Sequence, residues 1–297
     1  GRESAPYGEN ITVSKRSEAV AVGSPGIYEP EIKTGGSVTF ICKNATDWIE
    51  QKIEGELKSP YPYFGSSVFI DDSGETAMVG AKGRNEVYFF SRTLVTNFSK
   101  QAIIAPEAIS LNARFGTSIA GNSDNTVIAI SAPFQNGNGV IYVYDRSESN
   151  FTLKASLSSS LGNNVYLGNK VWMNSQGTKI LANAIPSGFS EGAVLEFSKT
   201  DTGWVETACI TSPLSQVFGT NFGKSFSISE DETTIAIGAP GSKRTIGTVN
   251  IFIKTGSGWS FSRTLTKLDC TVNDGYGSNV FLNVHATAII VGSRTPD

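Results

Sequence analysis

The feature that most constrains this chain is an internal repeat of about fifty residues. A large apolar or aromatic residue followed by glycine occurs six times, and successive glycines are 57, 51, 52, 55 and 54 residues apart. A step of small residues follows each glycine at a constant distance of fifteen residues. The six opening pairs are Tyr7-Gly8, Phe64-Gly65, Phe115-Gly116, Leu167-Gly168, Phe222-Gly223 and Tyr276-Gly277, and the six steps begin at Gly23, Gly80, Ser131, Asn183, Gly238 and Gly292.

Between the two landmarks, apolar and polar residues alternate on either side of a short turn, which is the pattern of two strands joined by a tight hairpin. A third alternating run follows, as in residues 139–143. A fourth run opens with an aromatic residue in five repeats: Trp48, Phe98, Phe151, Trp204 and Trp259. Four strands per repeat, with no helical periodicity, favour a propeller blade over a sandwich.

We therefore predict an all-β fold, a β-propeller of four-stranded antiparallel blades with five complete repeats plus a half blade, which gives a six- or seven-bladed ring if completed. We expect one domain over residues 1–297. Its predicted blades span about 7–62, 63–113, 114–163, 164–216 and 217–270, with a partial blade at 271–297. We expect another segment of a longer protein, or another chain, to supply the missing half blade; the alternative is a last blade that stays frayed.

Charge and hydropathy exclude two classes of partner. The chain has 24 Lys and Arg against 27 Asp and Glu, a formal net charge of −3, so no basic field exists to hold nucleic acid. No apolar run approaches the roughly 18 residues that a membrane-spanning helix needs, so we expect no direct membrane insertion. The 31 glycines and the low charged fraction of 17% suit many short strands and tight turns.

The landmarks resemble the FG-GAP repeats of β-propellers, the family that includes the heads of integrin α-subunits. Residues 222–259 show the likeness most cleanly, with Phe222-Gly223, then Gly238-Ala239-Pro240, then Gly247-Thr248-Val249 and a strand led by Trp259. The fourth repeat is degenerate, with Leu167 for the aromatic residue. The resemblance covers nearly the whole chain and implies extracellular recognition rather than catalysis.

The resemblance also implies a calcium loop between the first two strands of some blades, but no such loop is present in the sequence. The nearest acidic runs are Asp71-Asp72, Asp124 and Glu230-Asp231-Glu232, and the turn is too short for a calcium cage. Acidic residues that bond the backbone of their own turn are the better interpretation. We expect no metal and no cofactor.

Catalytic motifs are sparse. His285 is the sole histidine, which excludes a His-based triad or a zinc site with several imidazoles. No Gly-x-Ser-x-Gly or phosphate-binding Gly-Lys-Ser/Thr motif occurs. We therefore predict that the chain is not an enzyme and that it has no catalytic residue. Of the three cysteines, Cys209 and Cys270 could form a bridge, which leaves Cys42 as a thiol; the sequence leaves this open.

Four Asn-x-Ser/Thr motifs predict glycosylation, and three of them fall near the turn from the third to the fourth strand. They favour a secreted protein or one on a cell or virion surface. The four asparagines are Asn10, Asn44, Asn97 and Asn150.

Glycans at that turn would crowd one face of the propeller and leave the other for a partner. The opposite face carries the connections between the second and third strands, which vary in length. Variable loops on a constant scaffold are where recognition residues concentrate. The candidate ligand-binding residues there are Tyr28, Arg84, Phe134, Phe189 and Arg244.

The function predicted from the sequence is a non-enzymatic extracellular or surface-displayed adhesion or assembly module that presents propeller loops to a protein partner. Three alternatives stay open: a carbohydrate-binding lectin with a glycan ligand, a structural coat or filament subunit, and a hydrolase that uses the rim of the propeller.

Overall fold

The structure is a computed structural model, and its chain divides into two compact units. The first unit comprises residues 1–158, 167–180 and 198–204, and the second comprises 159–166, 181–197 and 205–297. The residues that the structure describes are 8, 10–16, 18–26, 28–29, 32–33, 35–56, 62–94, 97–162, 164–186, 191–213, 219–241, 246–268, 272 and 274–293.

The strands form one sheet per repeat, and we number these sheets 1 to 6 in chain order. The first repeat holds sheet 1 and, in the connection between the second and third strands of that sheet, a separate two-stranded hairpin, β3–β4. Its elements are β1 (Asn10–Val13), β2 (Ala19–Ser24), β3 (Tyr28–Glu29), β4 (Ile32–Lys33), β5 (Ser37–Lys43) and β6 (Trp48–Glu54). Sheet 2 consists of β7 (Phe64–Ile70), β8 (Thr76–Ala81), β9 (Glu86–Leu94) and β10 (Asn97–Ile104).

Sheets 3 to 5 repeat this arrangement, and sheet 6 has two strands among the described residues. Sheet 3 consists of β11 (Ile119–Gly121), β12 (Val127–Ala132), the 3-10 turn η1 (Gln135–Gly137) in its second connection, β13 (Val140–Ser147) and β14 (Asn150–Leu157). Sheet 4 consists of β15 (Leu167–Met173), β16 (Lys179–Ala184), β17 (Ala193–Thr200) and β18 (Gly203–Thr211). Sheet 5 consists of β19 (Ser225–Ile228), β20 (Thr234–Ala239), β21 (Thr248–Thr255) and β22 (Gly258–Leu265), and sheet 6 consists of β23 (Asn279–Leu282) and β24 (Ile289–Gly292).

The predicted all-β class and the four-stranded antiparallel meander of each complete repeat are confirmed. Across the ranges given above, η1 is the one helical element, and no helix is long and apolar enough to span a membrane. The prediction of a single domain over 1–297 stays a prediction.

The turn between the first and second strands is closed by one polar side chain in every repeat. This residue lies six positions after the opening glycine, and its side-chain oxygen accepts a hydrogen bond from the backbone N–H five residues further on. Such side-chain acceptors replace the ladder bonds that a tight turn cannot make. The six residues are Ser14, Asp71, Asn122, Asn174, Ser229 and Asn283.

The two sequence landmarks are the two sides of one contact between successive sheets. The Gly116 carbonyl of sheet 3 lies so close to Gly80 of sheet 2 that a Cβ at Gly80 would overlap it. Gly238 of sheet 5 and Gly277 of sheet 6 meet in the same way. The opening glycine of a repeat thus contacts the preceding repeat, and the small-residue step contacts the following one. The distance of fifteen residues between them is fixed because both contacts must form at the same time.

Successive sheets pack face to face through apolar cores inside each unit. In the first unit, one core joins sheets 1 and 2, where the Phe40 and Phe98 rings stack with centroids 4.2 Å apart, and a second core joins sheets 2 and 3. In the second unit, Ala236 and Val249 of sheet 5 pack against Val280 of sheet 6. Each fully buried aromatic or aliphatic side chain contributes about 1.5–3 kcal/mol, so these interfaces stabilise the sheets that they join.

Candidate functional site

The best-defined polar cluster of the molecule lies at one end of sheet 2. We call the end of a sheet that carries the connection from its second to its third strand, and the connection from the preceding sheet, the loop end. At the loop end of sheet 2 the turn over residues 82–85 joins β8 to β9, and the Arg84 N–H donates to the Ala81 carbonyl at 2.8 Å.

Asn85 fixes this turn to the segment that leads into sheet 3. Its backbone has φ +55°, a left-handed conformation that asparagine tolerates better than most residues. Its amide nitrogen donates to the Ser110 and Leu111 carbonyls at 3.0 Å, and its amide oxygen accepts from the Phe115 N–H at 2.9 Å. These three hydrogen bonds hold Asn85 in place, and Asn85 in turn fixes the backbone position of the adjacent Arg84.

Arg84 is held by a bidentate ion pair with Glu86. Arg84 Nε lies 2.9 Å from Glu86 Oε2, and Arg84 Nη2 donates to Glu86 Oε1 at 3.1 Å. The side chains are 14% and 21% exposed, so this pair is better shielded from water than an ordinary surface salt bridge. The third guanidinium nitrogen, Nη1, is buried and has no hydrogen-bond acceptor.

Tyr88 completes the cluster, which we call the Arg84 cluster: Arg84, Glu86 and Tyr88. The Tyr88 hydroxyl donates to Glu86 Oε2 at 2.8 Å. Burial and this hydrogen bond raise the pKa of the Tyr88 phenol, so the hydroxyl keeps its proton at neutral pH. Glu86 thus accepts a hydrogen bond from each of the other two residues, pairs with the Arg84 charge, and lies at the centre of the cluster.

Further cations surround the cluster. Lys100 Nζ on β10 lies 5.7 Å from the centre of the Tyr88 ring, and Lys82, in the same turn as Arg84, lies 5.6 Å from the Tyr63 ring. Cations at this distance are attracted to an aromatic ring. Lys82 and Arg84 therefore lie in one turn at the loop end of sheet 2, where Glu86 pairs with Arg84, and Lys100 lies beside Tyr88 from the middle of the neighbouring strand.

Unsatisfied polar atoms concentrate at loop ends. Among the described residues, five buried side-chain atoms lack a hydrogen-bond partner, and four of them lie at the loop end of their own sheet. A buried polar atom without a partner costs about 1–3 kcal/mol, which a ligand could recover. The four loop-end residues are Ser24, Arg84, Glu191 and Thr220; the fifth, Asn125, lies in the opposite turn.

Glu191 is the second ionisable group in this set, at the loop end of sheet 4. Burial raises the pKa of its carboxyl, against a hydrogen bond from Ser212 that lowers it. Its Oε1 atom is the one without a partner. A carboxyl with a raised pKa is typical of acid–base sites, but it is also found at structural positions.

One other buried carboxylate is structural. Glu196 on β17 accepts from Lys254 on both oxygens at 2.8 Å, from Trp259 Nε1 at 2.9 Å and from Thr207 at 3.3 Å. Both carboxylate oxygens of Glu196 already accept hydrogen bonds within the protein. We therefore interpret Glu196 as a structural link between sheets 4 and 5 inside the second unit and not as a ligand-binding group. No local sequence pattern indicates this cluster.

Of the other residues predicted to bind a ligand, the structure describes the side chain of Phe134 and the backbone of Tyr28. Phe134 is half-buried under the Arg114 guanidinium, whose carbon lies 4.5 Å from the ring centre. The backbone of Tyr28 pairs with Lys33 in the β3–β4 hairpin. Phe189 and Arg244 lie outside the described residues. Their ligand-binding role stays a prediction.

The predicted glycosylation sites differ in their surroundings. Asn97 and Asn150 are exposed first residues of β10 and β14, and Asn44 lies in the turn before β6. The Asn10 amide nitrogen, where a glycan would attach, donates to the Ser66 carbonyl at 2.7 Å. Asn97 and Asn150 are therefore more exposed than Asn10.

Among the described residues, neither the cysteines nor the side chains that could bind a metal indicate a further functional site. Cys42 is buried, and burial raises the pKa of its thiol, whereas Cys209 is exposed. Cys270 lies outside the described residues, so the Cys209–Cys270 bridge is untested. Within the described ranges, no three His, Cys, Asp or Glu side chains come together to hold a metal ion.

Known proteins resemble this chain in fold but not in sequence. No protein-family model matches it, and no curated protein matches it. Hydrazine synthase of Kuenenia stuttgartiensis superposes with a TM-score of 0.62 at 13% identity, over 97% of this chain and 84% of that one. A protein described as a candidate 6-phosphogluconolactonase of Bacteroides uniformis superposes with a TM-score of 0.62 at 10% identity, over 98% and 79%.

A third structure is the periplasmic gluconolactonase of Pseudomonas aeruginosa, with a TM-score of 0.57 at 12% identity, over 86% of this chain and 69% of that one. These neighbours are β-propellers with four-stranded antiparallel blades. The chain has the β-propeller fold. At these identities the likeness concerns the fold alone.

The predicted function is wrong. A non-enzymatic adhesion or assembly module, with a lectin or a structural coat as alternatives, conflicts with propeller neighbours that are named as lactonases and are enzymes. The inference failed because one fold hosts many functions, so a family resemblance carried by fold-forming landmarks says little about activity. The neighbours include enzymes, so the absence of a catalytic motif does not decide that this chain is not one.

Proposed function

We propose that this chain hydrolyses a small sugar-derived lactone and that the Arg84 cluster binds the reacting carbonyl group. The observation that carries the proposal is a guanidinium fixed by a bidentate pair to Glu86 while its buried Nη1 has no acceptor. Propeller neighbours named as gluconolactonases support the choice of substrate class.

The reaction needs little from the protein beyond charge stabilisation. Water adds to the lactone carbonyl carbon, negative charge develops on the carbonyl oxygen, and the ring C–O bond then breaks as the ring oxygen takes up a proton. The product is the open hydroxy acid. Arg84 would donate to the oxygen that becomes negative, which is where a preorganised donor lowers the barrier most. Glu86 and Tyr88 are positioning residues because they act through Arg84.

The experiment measures hydrolysis of glucono-δ-lactone and of its 6-phosphate, with the spontaneous rate subtracted. We expect the wild-type chain to accelerate at least one of them. Arg84→Gln should lower kcat/KM by about a hundredfold or more, the usual effect of removing one oxyanion donor. Arg92→Gln is the matched control, because Arg92 lies on β9, the strand that follows the Arg84 turn, and donates to the Gly74 carbonyl at the opposite end of sheet 2.

Two results would contradict the proposal separately. A wild-type chain that leaves both lactones at their spontaneous rates overturns the activity. An active chain in which Arg84→Gln and Arg92→Gln behave alike keeps the activity but overturns the site.

We also propose a secreted or surface location, with glycans on Asn97 and Asn150. Their exposure at the start of equivalent fourth strands supports this. Intact mass before and after enzymatic deglycosylation tests it on material from a eukaryotic secretory host, and an unchanged mass contradicts it. The FG-GAP relationship of the repeats remains a proposal that rests on the landmarks themselves.

A further inference from the structure

The connection between β12 and β13 contains two reactive dipeptides that the proposed function does not use. Asn136-Gly137 and Asn138-Gly139 are the two Asn-Gly pairs of the chain, and they lie next to each other at the loop end of sheet 3. An asparagine followed by glycine loses its side-chain amide more readily than one followed by a larger residue. The reason is that a glycine has no side chain to keep its backbone nitrogen away from the asparagine side chain.

The reaction needs no component other than water. The glycine backbone nitrogen attacks the asparagine Cγ carbon, and the new C–N bond closes a succinimide ring. The side-chain amide leaves as ammonia and carries away the proton that the backbone nitrogen gives up. Water then opens the ring at either carbonyl carbon, which leaves aspartate or isoaspartate; in isoaspartate the main chain runs through the former side chain. The rate therefore depends on how freely the glycine nitrogen can reach Cγ.

The structure leaves the first pair open to this reaction. Asn136 and Gly137 are both exposed. Asn136 has φ +54° and ψ +22°, a left-handed conformation that disfavours L-residues, so its backbone loses little by rotating away from it. The Gly137 N–H donates to the Phe134 carbonyl at 3.3 Å, the longest of the backbone hydrogen bonds donated by residues 137–139. The attacking nitrogen is therefore accessible and weakly held.

The second pair is held on both sides of the bond that would have to rotate. Gly139 is buried, and its N–H donates to the Gln135 carbonyl at 2.9 Å. A Cβ at Gly139 would overlap the backbone of Leu167, so this glycine has no room to move. The Asn138 carbonyl accepts from the Leu167 N–H at 3.0 Å. The Gly139 nitrogen can reach the Asn138 side chain only after the connection opens locally.

We propose that Asn136 is a site of spontaneous conversion to isoaspartate and aspartate in the folded chain, whereas Asn138 is protected. The conversion places a negative charge at the loop end of sheet 3. The isoaspartate product also lengthens the backbone of η1, in which Gln135 Oε1 accepts from the Ser110 N–H at 2.9 Å. The proposal is independent of any catalytic activity.

The test is prolonged incubation of the full chain at neutral pH, followed by peptide mapping with mass spectrometry that resolves residues 136 and 138. In the folded chain, Asn136 should convert faster than Asn138 by about tenfold or more, because the Gly139 nitrogen reacts only after local opening. In the chain unfolded by urea, the two asparagines should convert at similar rates, because each is followed by glycine. The comparison separates the effect of the fold from that of the sequence.

Two matched variants identify the residue that carries the modification. Labelling of the incubated, folded chain by a protein isoaspartate methyltransferase should be lost in Asn136→Gln, because glutamine closes the corresponding larger ring far more slowly. Asn138→Gln is the control and should be labelled as strongly as the wild type. The proposal is overturned by an Asn136 that stays intact in the folded chain, by equal conversion of both asparagines there, or by labelling that persists in Asn136→Gln.

Discussion

At the residue scale, the Arg84 cluster shows what side-chain chemistry adds to a repeated scaffold. Arg84, Glu86 and Tyr88 are spaced by two residues, and the latter two share a face of β9. The sequence places Arg84 in a variable loop, where the structure also has it, but does not predict its ion pair with Glu86. The alternation from 84 to 88 was a signal that could have predicted an ion pair, whereas the missing partner of Nη1 depends on neighbours that no local pattern reveals.

Lys170 on β15 makes the stability of the chain depend on pH. Burial lowers the pKa of its ammonium from 10.5 to about 8. The unfolded chain therefore holds this proton more tightly than the folded chain, so the penalty on folding is fully present below about pH 8 and fades as the pH rises towards 10.5.

Replacing this lysine should reveal the penalty. We expect Lys170→Met to unfold at a higher urea concentration than the wild type at pH 7, with the difference shrinking above pH 8. Lys154→Met is the control, because Lys154 is exposed and pairs with Asp145 at 3.7 Å. A stabilisation by Lys170→Met that is the same at pH 7 and pH 10 would show that the ammonium is not desolvated.

At the scale of elements, the turn between the first two strands explains why this chain needs no calcium loop to form it. A single side-chain oxygen closes each turn, and in sheet 2 it belongs to the Asp71 carboxylate, which accepts from the backbone N–H groups of Glu75 and Thr76. Serine, aspartate and asparagine at one constant position were visible in the sequence but were not recognised as a third landmark. They could have been, since only short side chains with an oxygen make this bond.

Asn174 offers a test of this role. Its Oδ1 accepts from the Thr178 and Lys179 N–H groups at 2.8 and 2.9 Å. We expect Asn174→Ala to lower the free energy of unfolding by about 1–2 kcal/mol, because two backbone donors lose their acceptor. Asn174→Ser should lose less, since serine closes the equivalent turn at residues 14 and 229. Equal losses for alanine and serine would contradict the role.

Much of the architecture follows from the sequence because strands and turns are encoded locally. The fifteen-residue offset and the aromatic residue that opens each fourth strand predicted the four-stranded sheets. The buried group formed by Glu196, Lys254 and Trp259 could not be predicted this way, since its members come from different sheets and are up to 63 residues apart. Sites built across sheets need coordinates.

At the scale of the whole molecule, the repeats behave as units that stabilise their neighbours. Sheets 1 and 2, sheets 2 and 3, and sheets 5 and 6 bury apolar side chains against each other, so the loss of one of these contacts should destabilise the sheets that it joins. The central claim is that the two landmarks meet in this contact and that their spacing exists for that reason.

The measurement that tests this claim most directly is the free energy of unfolding of Gly80→Ala beside Gly256→Ala. A Cβ at Gly80 would overlap the Gly116 carbonyl, whereas a Cβ at Gly256 meets nothing within 4 Å. We expect Gly80→Ala to lose about 1–3 kcal/mol or more through overpacking, and Gly256→Ala to stay within about 0.5 kcal/mol of the wild type. Equal stability of the two variants would contradict the claim.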